Sequence, residues 1–199
     1  MPKMSYRKAR QSPHILRKVT QNIFRAFDYA IASGDTFNMY AVINLRDTDQ
    51  QSAATAFSRI CHKYRDWLAY KSKKCGKKLR PRYTFTIENP NGHHHVNWIL
   101  YIPEALQAEF RSKLIKWVAK VQGEVGPFDI DVQDIKPGTE KGLAKYVLKA
   151  TEPEYVDHFY LRELVERHGD QGVVWGKRAG VSVSVGKAER DNNGFQPRR

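Results

Sequence analysis

Cysteine is scarce in this sequence, where Cys61 and Cys75 are the only two among 199 residues. They lack the CxxC spacing of redox and metal-binding pairs, so we expect two ordinary thiols in a reducing cytosol. No apolar run reaches the roughly 18 residues that are needed to span a bilayer. The basic N-terminus leads into an amphipathic pattern without a signal-peptide core. Together these absences predict a cytoplasmic protein with no membrane partner.

Acidic residues are also in short supply, since 21 Asp and Glu stand against 34 Lys and Arg, for a net charge of +13. Such an excess predicts a polyanionic partner, most often nucleic acid and less often an acidic membrane surface. The hydrophobic share of 41% and aromatic share of 12% exclude a disordered chain. Because there is no internal repeat and no second composition regime, we predict one domain over residues 1–199.

Hydrophobic periodicity predicts an alternation of helices and strands. Helices are predicted over residues 13–33, 49–71, 103–122 and 138–150, and strands over 37–45, 82–88, 94–102 and 128–135. Ser12 and Pro13 are the start signal of the first helix. Short late strands are predicted in "GVVWG" and "GVSVSVG", and residues 1–12 and 189–199 are predicted to be loose. Trp98 and Trp117 are predicted core residues by parity and spacing.

The central order of these elements is β-α-β-β-α-β, followed by a helix. This order predicts an α+β fold with a central antiparallel sheet, on the plan of ferredoxins and RNA-recognition motifs, and with helices on one face. The helix after the fourth strand can fold back over the sheet.

The segment "IENPNGHHHVNWILYIP" places three histidines at the start of a strand in a predicted hairpin. Alternate strand residues share a face, so His93 and His95 lie on one polar face with Glu88 of the preceding strand. Two imidazoles and a carboxylate are suitable ligands for Mn²⁺ or Mg²⁺, with Zn²⁺ the less favoured alternative. A histidine-rich hairpin end that is merely solvated is the competing interpretation.

A second candidate lies in "GLAKYVLKA", where Tyr146 and Lys149 are one helical turn apart. A tyrosine beside a metal can attack phosphorus, while the metal polarises the phosphate and a lysine adds a compact cation. Taken alone, Tyr146 is better explained by burial of its ring and Lys149 by a solvated helix face. The metal site proposed nearby favours the catalytic interpretation.

These motifs, in this order and spacing, resemble those of the HUH endonucleases, the superfamily of rolling-circle replication initiators, relaxases and related transposases. "HUH" denotes His, a hydrophobic residue and His, which matches residues 93–95, with upstream Glu88. His94 takes the hydrophobic position, which leaves His94 open as an alternative ligand. "YVLK" matches the YxxK motif of single-tyrosine initiators, and Gly142 stands where two-tyrosine initiators carry the second tyrosine.

The resemblance covers residues 37–150, which would be the catalytic core between an N-terminal helix (13–33) and a basic C-terminal extension (151–199). It implies metal-dependent nicking of single-stranded DNA at an origin or hairpin, through a 5′-phosphotyrosine and a free 3′-hydroxyl for a polymerase. It also implies a prokaryotic or virus-infected cell. No G-x-x-x-x-G-K-S/T loop is present, so a helicase would be a separate protein. A relaxase or transposase of the same superfamily remains an alternative.

Two basic segments are candidates for DNA contacts. The first is residues 71–82, predicted to be an exposed loop, and the second is "VVWGKRAGVSVSV". Phosphate contacts are assigned to Lys73, Lys74, Lys77, Lys78, Arg80, Arg82, Lys177 and Arg178, and base stacking to Trp175. A loop that only aids solubility and a core position for Trp175 are the alternatives.

Two rival functions come from other classes. A non-catalytic RNA-recognition motif has the same element order, but it requires exposed aromatic residues on its central strands, where this chain has His, Asn, Thr and Glu. A zinc-stabilised structural protein is disfavoured because no cysteine accompanies the histidines.

Overall fold

The computed structural model describes residues 10–48 and 51–196. Within these ranges the helices are α1 (Arg17–Ala32), α2 (Ala53–Cys75), α3 (Glu104–Gln122), α4 (Glu140–Tyr146), α5 (Arg162–His168) and α6 (Lys187–Asn192). The strands are β1 (Gln11–Ser12), β2 (Met39–Asn44), β3 (Arg82–Glu88), β4 (His95–Tyr101), β5 (Ile130–Asp134), β6 (Val174–Trp175) and β7 (Ala179–Val181). None of the described helices is long and apolar enough to cross a membrane.

Five strands form an antiparallel sheet in the order β5-β2-β4-β3-β7. The predicted β-α-β-β-α-β order is confirmed by β2, α2, β3, β4, α3 and β5, and so is the α+β class with a central antiparallel sheet. Strand β7, from the predicted C-terminal extension, adds to the edge beside β3. The remaining strands, β1 and β6, pair separately.

One face of the sheet packs against α2 and α3. Alternate residues of the strands, among them Phe85 and Trp98, contact Phe57 and Tyr64 of α2 and Phe110 of α3. Trp98 is fully buried and Trp117 nearly so, which confirms both as core residues. Because large aromatic side chains bury the most apolar area, this face forms the main core of the protein.

The opposite face of the sheet is also covered, by α1 and by the α4 segment. Ile99 of β4 belongs to the same buried cluster as Ile23, Phe27 and Val147. Small residues such as Ala26 of α1 are fully buried there, so the helix approaches the sheet closely. Helices therefore lie on both faces of the sheet and not on one face alone. Helices α1 and α4 occupy the second face, over the strand residues that carry the polar side chains.

The first helix begins later than predicted, at Arg17, and its N-cap residue Leu16 makes no side-chain capping bond. Ser12 instead belongs to β1, and its hydroxyl donates to the carbonyl of Gly176 at 2.7 Å. The predicted Ser12 cap is therefore wrong, because pairing with β6 holds this segment in an extended conformation.

The second helix is displaced in the other direction, from 49–71 to Ala53–Cys75. Ser52 caps its start by accepting a hydrogen bond from the Thr55 amide, and Gly76 ends it with a φ of 66°. The segment 71–82 is thus not entirely a loop, since its first five residues complete α2.

The C-terminal segment is ordered further than predicted. Residues 187–192 form α6, where the buried Arg190 guanidinium donates to the Asn22 side chain at 2.5 Å and to the Val185 carbonyl. Phe195 packs edge-on against Tyr29 with ring centroids 5.2 Å apart. The expectation of a frayed tail is therefore wrong for residues 189–196, while residues 197–199 and 1–9 lie outside the described ranges.

Candidate functional site

Glu88 and His95 face each other across the hairpin of β3 and β4. The ladder pairs Glu88 with His95 and Thr86 with Asn97. Nε2 of His95 lies 2.7 Å from Oε2 of the fully buried Glu88. Because successive side chains of a strand point to opposite faces, these polar groups lie on the face opposite the aromatic core, as parity predicts.

Lys149 binds the other oxygen of the same carboxylate. Helix α4 ends at Tyr146, earlier than predicted, and the chain then turns so that the Lys149 ammonium donates to Oε1 of Glu88 at 2.6 Å. Burial raises the pKa of Glu88, but the contacts with His95 and Lys149 outweigh it and hold the pKa below its ordinary value. Burial lowers the pKa of Lys149, opposed by the charge of Glu88. A buried ion pair therefore lies at the end of the sheet.

Tyr146 is the third member of this cluster. Its ring is half-buried, and the ring centroid lies 4.1 Å from Nζ of Lys149. The ring also packs edge-on against His168, with ring centroids 5.5 Å apart. Burial, and secondarily the negative charge of Glu88, raises the pKa of the Tyr146 hydroxyl above its ordinary value. The hydroxyl is consequently protonated at neutral pH, and its use as a nucleophile requires a nearby positive charge.

Tyr40 was not among the predicted site residues, yet it lies beside this cluster on β2. Its hydroxyl donates to Oδ1 of the buried Asn97 at 2.5 Å, and burial and the neighbouring Tyr146 raise its pKa. Tyr40 is paired with Ile99 of β4, which lies two residues after Asn97 and therefore on the same face of the sheet. Tyr40 is thus on the polar face of β2. Strand parity applied to β2 would have found it.

His93 is not joined to Glu88 and His95. Strand β4 starts only at His95, after a turn in which Asn91 adopts a left-handed conformation, so the ladder does not fix the side of the sheet for His93. His93 instead lines a cavity of about 620 Å³ together with Asn44 and His94. Among the described residues, no group of three or more His, Cys, Asp or Glu side chains is arranged to hold a metal ion.

His94, the alternative ligand, is buried, and its Nδ1 lies 3.8 Å from Oδ1 of Asp47. Burial is the main cause that lowers the pKa of this imidazole. Burial thus favours the neutral form of the His94 imidazole.

Glu88 and His95 fit two positions of a divalent metal site. Oε2 of Glu88 accepts no hydrogen bond from the described residues, although Nε2 of His95 is within 2.7 Å. A carboxylate oxygen and an imidazole nitrogen are both ligands for Mn²⁺ and Zn²⁺, and Mg²⁺ prefers the oxygen. The donor pair therefore suits a metal, whereas the third predicted ligand is not in place.

The predicted basic segment 71–82 divides into two groups. Lys73, Lys74, Lys77 and Lys78 are exposed at the end of α2 and in the turn after it, without an ion pair to any described residue. Arg80 instead pairs with Glu189, and Arg82 pairs with Asp35 at 2.9 Å. The four lysines form the unneutralised part of this surface, which we call the α2 lysine cluster.

The second predicted DNA-contact group is split as well. Trp175 is half-exposed on β6 and Lys177 is exposed. Arg178, in contrast, is buried, and its guanidinium donates to the carbonyls of Ser12, Pro13, Gln171 and Gly172. Arg178 thus fastens the N-terminal strand to the 171–172 turn, which corrects the prediction that it contacts DNA.

Comparisons with protein-family models and with curated proteins find no match for this chain. Solved structures do match, and one of them is the catalytic domain of the Adeno Associated Virus type 5 Rep protein. It is 9% identical in sequence, with a TM-score of 0.39, over 65% of this chain and 98% of that chain. At so low a score the likeness carries no argument about function.

Proposed function

We propose that this chain is a single-stranded DNA endonuclease and strand transferase with Tyr146 as its nucleophile. The observation that supports the proposal is the position of Lys149, whose ammonium bonds to Glu88 and also lies against the Tyr146 ring. Residues far apart in the sequence, chosen for their motifs, thereby meet in one cluster at one end of the sheet. The strong positive charge of the chain suits a DNA substrate.

In the proposed step the Tyr146 oxygen attacks the scissile phosphorus. A bond forms between this oxygen and phosphorus, the bond from phosphorus to the 3′ oxygen breaks, and the tyrosine proton passes overall to the departing 3′ oxygen. The products are a 5′-phosphotyrosine and a free 3′-hydroxyl. Reversal of the step, with a 3′-hydroxyl as the attacking group, rejoins strands without any external energy source.

Each side chain of the cluster has a role in this proposal. Lys149 stabilises the negative charge that develops as Tyr146 loses its proton and attacks. Glu88 holds Lys149 in place and, with His95, would bind Mn²⁺ or Mg²⁺, with Zn²⁺ less favoured. When bound, the metal would polarise the phosphate. His93 is the third predicted ligand, which the structure leaves outside the cluster.

A non-catalytic nucleic-acid-binding module of the same element order is the alternative. Such modules stack bases on aromatic side chains that are exposed on the central strands. Here the corresponding positions carry buried polar residues, Thr84, Thr86 and Asn97, and lie on the face covered by α1 and α4. The sheet face therefore favours a site at the strand ends over a stacking platform.

The partners of the proposed reaction are a DNA origin or hairpin, presented as a single strand, and a polymerase that extends the 3′-hydroxyl. Strand separation at the origin is proposed to be the task of a helicase.

The test is incubation of the protein with end-labelled single-stranded DNA pools and Mn²⁺, followed by denaturing electrophoresis. DNA labelled at its 3′ end should migrate with the protein, while DNA labelled at its 5′ end should be released as a shorter fragment that a polymerase extends. Covalent retention of the 5′ label, or the absence of any adduct across diverse pools with Mn²⁺, Mg²⁺ and Zn²⁺, contradicts the proposal.

A further inference from the structure

A cavity of about 420 Å³ lies directly beside Tyr146, between β5 and α4. The side chains of Tyr40 and Tyr146 line it, and Tyr40 is fixed in place by its hydrogen bond to Asn97. The volume falls within the range of ligand pockets, about 300–1,000 Å³. Two aromatic residues, one of them the proposed nucleophile, thus border an open space large enough for a planar ring.

Gly142 lines this cavity on the side of α4. It lies one helical turn before Tyr146 and lines the same space. A Cβ atom at this position would meet no atom within 4 Å, and the Gly142 backbone is not in the left-handed region. Glycine is less favourable than alanine inside a helix, so neither the backbone nor packing requires it here. The lack of a side chain leaves the space around Gly142 open where it lines the cavity with Tyr146.

The rim of the cavity is polar and carries a positive charge. The Gln133 amide donates to Oδ2 of Asp131 at 2.6 Å and the Thr139 hydroxyl donates to the Lys136 carbonyl at 2.7 Å, so both side chains keep an oxygen that can accept a hydrogen bond. Lys136 adds an exposed ammonium. The acidic Asp134 on the same rim is paired with Arg111 at 2.6 Å, so its charge is offset. Aromatic walls with an amide and a cation at the rim match the three parts of a nucleotide: a flat base, its polar edge and its phosphate.

We infer that this cavity binds a nucleobase of the single strand and thereby places the adjoining phosphate at Tyr146. The identity of that phosphate as the one cleaved rests on the proposed function. Base–aromatic stacking tolerates all four bases, so specificity at this position would come from Gln133 and Thr139 at the base edge. Gly142 is then the residue that determines whether a base can enter.

Photochemical crosslinking tests the inference independently of cleavage. Tyr146→Phe protein, which keeps the ring but cannot react, is irradiated with single-stranded oligonucleotides that carry 4-thiothymidine, and the crosslinked peptides are identified by mass spectrometry. Crosslinks are expected on peptides that contain Tyr40 or residues 133–143. Adding Gly142→Phe should reduce this crosslinking at least tenfold, whereas Gly142→Ala should retain it. Thr139→Trp fills the same space from the rim and serves as a second blocking variant.

The outcomes separate the two hypotheses. The cavity is overturned as a base site if the crosslinks map elsewhere, or if both folded blocking variants leave the crosslinks in the cavity unchanged. Either result holds even when unsubstituted protein forms the covalent adduct. Crosslinks in the cavity that are lost in the blocking variants support it even when unsubstituted protein forms no adduct, in which case the nicking proposal alone fails. Thermal unfolding of each variant establishes that a lost crosslink reports on the cavity.

Discussion

The side chains of Glu88 and Lys149 form a buried ion pair, 2.6 Å between Oε1 and Nζ, although they are 61 residues apart in sequence. One comes from the end of β3 and the other from the turn after α4, so the pair fastens the tyrosine segment to the sheet. Removal of a single partner from a buried pair leaves an uncompensated charge. The pair therefore couples the stability of the fold to the geometry of the site.

This coupling predicts a non-additive pattern of unfolding free energies. Glu88→Gln and Lys149→Met should each destabilise the protein by about 3–5 kcal/mol, because each leaves a buried charge without its partner. The double variant should be markedly more stable than the sum of the two losses implies. Urea unfolding of the four proteins measures the interaction energy, and additive losses would show that the pair is not the connection between the segments. Thr20→Val, which alters another buried polar contact, to Thr151, is the control.

Tyr146→Phe is predicted to abolish the covalent DNA adduct and leave non-covalent binding of single-stranded DNA within about twofold. The variant keeps the ring and its contacts with Lys149 and His168, so the unfolding free energy should change by less than about 1 kcal/mol. Denaturing electrophoresis measures the adduct and fluorescence anisotropy the binding.

Tyr155→Phe and Tyr160→Phe are the matched controls for this variant. Tyr160 is exposed and Tyr155 lies beneath the Arg17 guanidinium; neither contacts the Glu88 cluster in the structure. Both variants should form the adduct normally. An adduct that survives Tyr146→Phe and maps to one of these tyrosines would reassign the nucleophile.

The histidines are predicted to differ in their effect on metal binding. His95→Ala should reduce Mn²⁺ affinity and adduct formation at least tenfold, because it removes the imidazole nitrogen that lies 2.7 Å from Oε2 of Glu88. His93→Ala tests the third predicted ligand, which the structure places in another cavity. Isothermal titration with Mn²⁺ measures the metal affinity of each of the two variants. A loss for His93→Ala as large as that for His95→Ala would mean that the 90–93 turn rearranges when metal binds.

The central fold and half of the candidate site follow from the sequence because strand parity is a strict geometric rule. A period of two residues places Glu88, His95 and Asn97 on one face and Trp98 on the other, whatever the rest of the chain does. The order of helices and strands was equally accessible, because each long element has a clear apolar pattern.

The parts that could not be predicted depend on contacts between distant segments. The predicted position of His93 extends strand parity into a turn, where no ladder holds the backbone. Sequence polarity predicts a surface cation at Arg178, but four carbonyls from two separate segments surround it. Polarity likewise predicts a loose tail over residues 189–199, although Arg190 and Phe195 contact α1.

Arg178→Lys is predicted to destabilise the protein by about 2–4 kcal/mol, since a lysine cannot reproduce the bonds of the guanidinium and buried carbonyls lose their donors. The salt dependence of DNA binding should stay unchanged, because this side chain is buried. Thermal unfolding and anisotropy titrations measure the two effects. A stable variant with a shallower salt dependence would return Arg178 to the DNA interface.

The α2 lysine cluster is predicted to contact the phosphates of single-stranded DNA. Its four ammonium groups are exposed and lack acidic partners among the described residues, so each can neutralise a phosphate and release counterions. Every such contact contributes about 0.7 to the slope of log affinity against log salt for a single strand. Replacing Lys73, Lys74, Lys77 and Lys78 with Gln should therefore reduce the magnitude of the slope by about 3.

The control for this prediction is a smaller loss of charge elsewhere on the protein, compared with the cluster variant per lysine. Lys116 and Lys120 are exposed on α3, away from the end of α2. Their replacement with Gln should change the slope by less than about 0.7, which is the contribution of one phosphate contact. Anisotropy titrations over a range of salt concentrations give both slopes. Because the slope counts neutralised phosphates rather than total charge, an equal change per lysine in the two variants would mean that DNA follows no particular path over α2. A slope that the cluster variant leaves unchanged would place the DNA on another face.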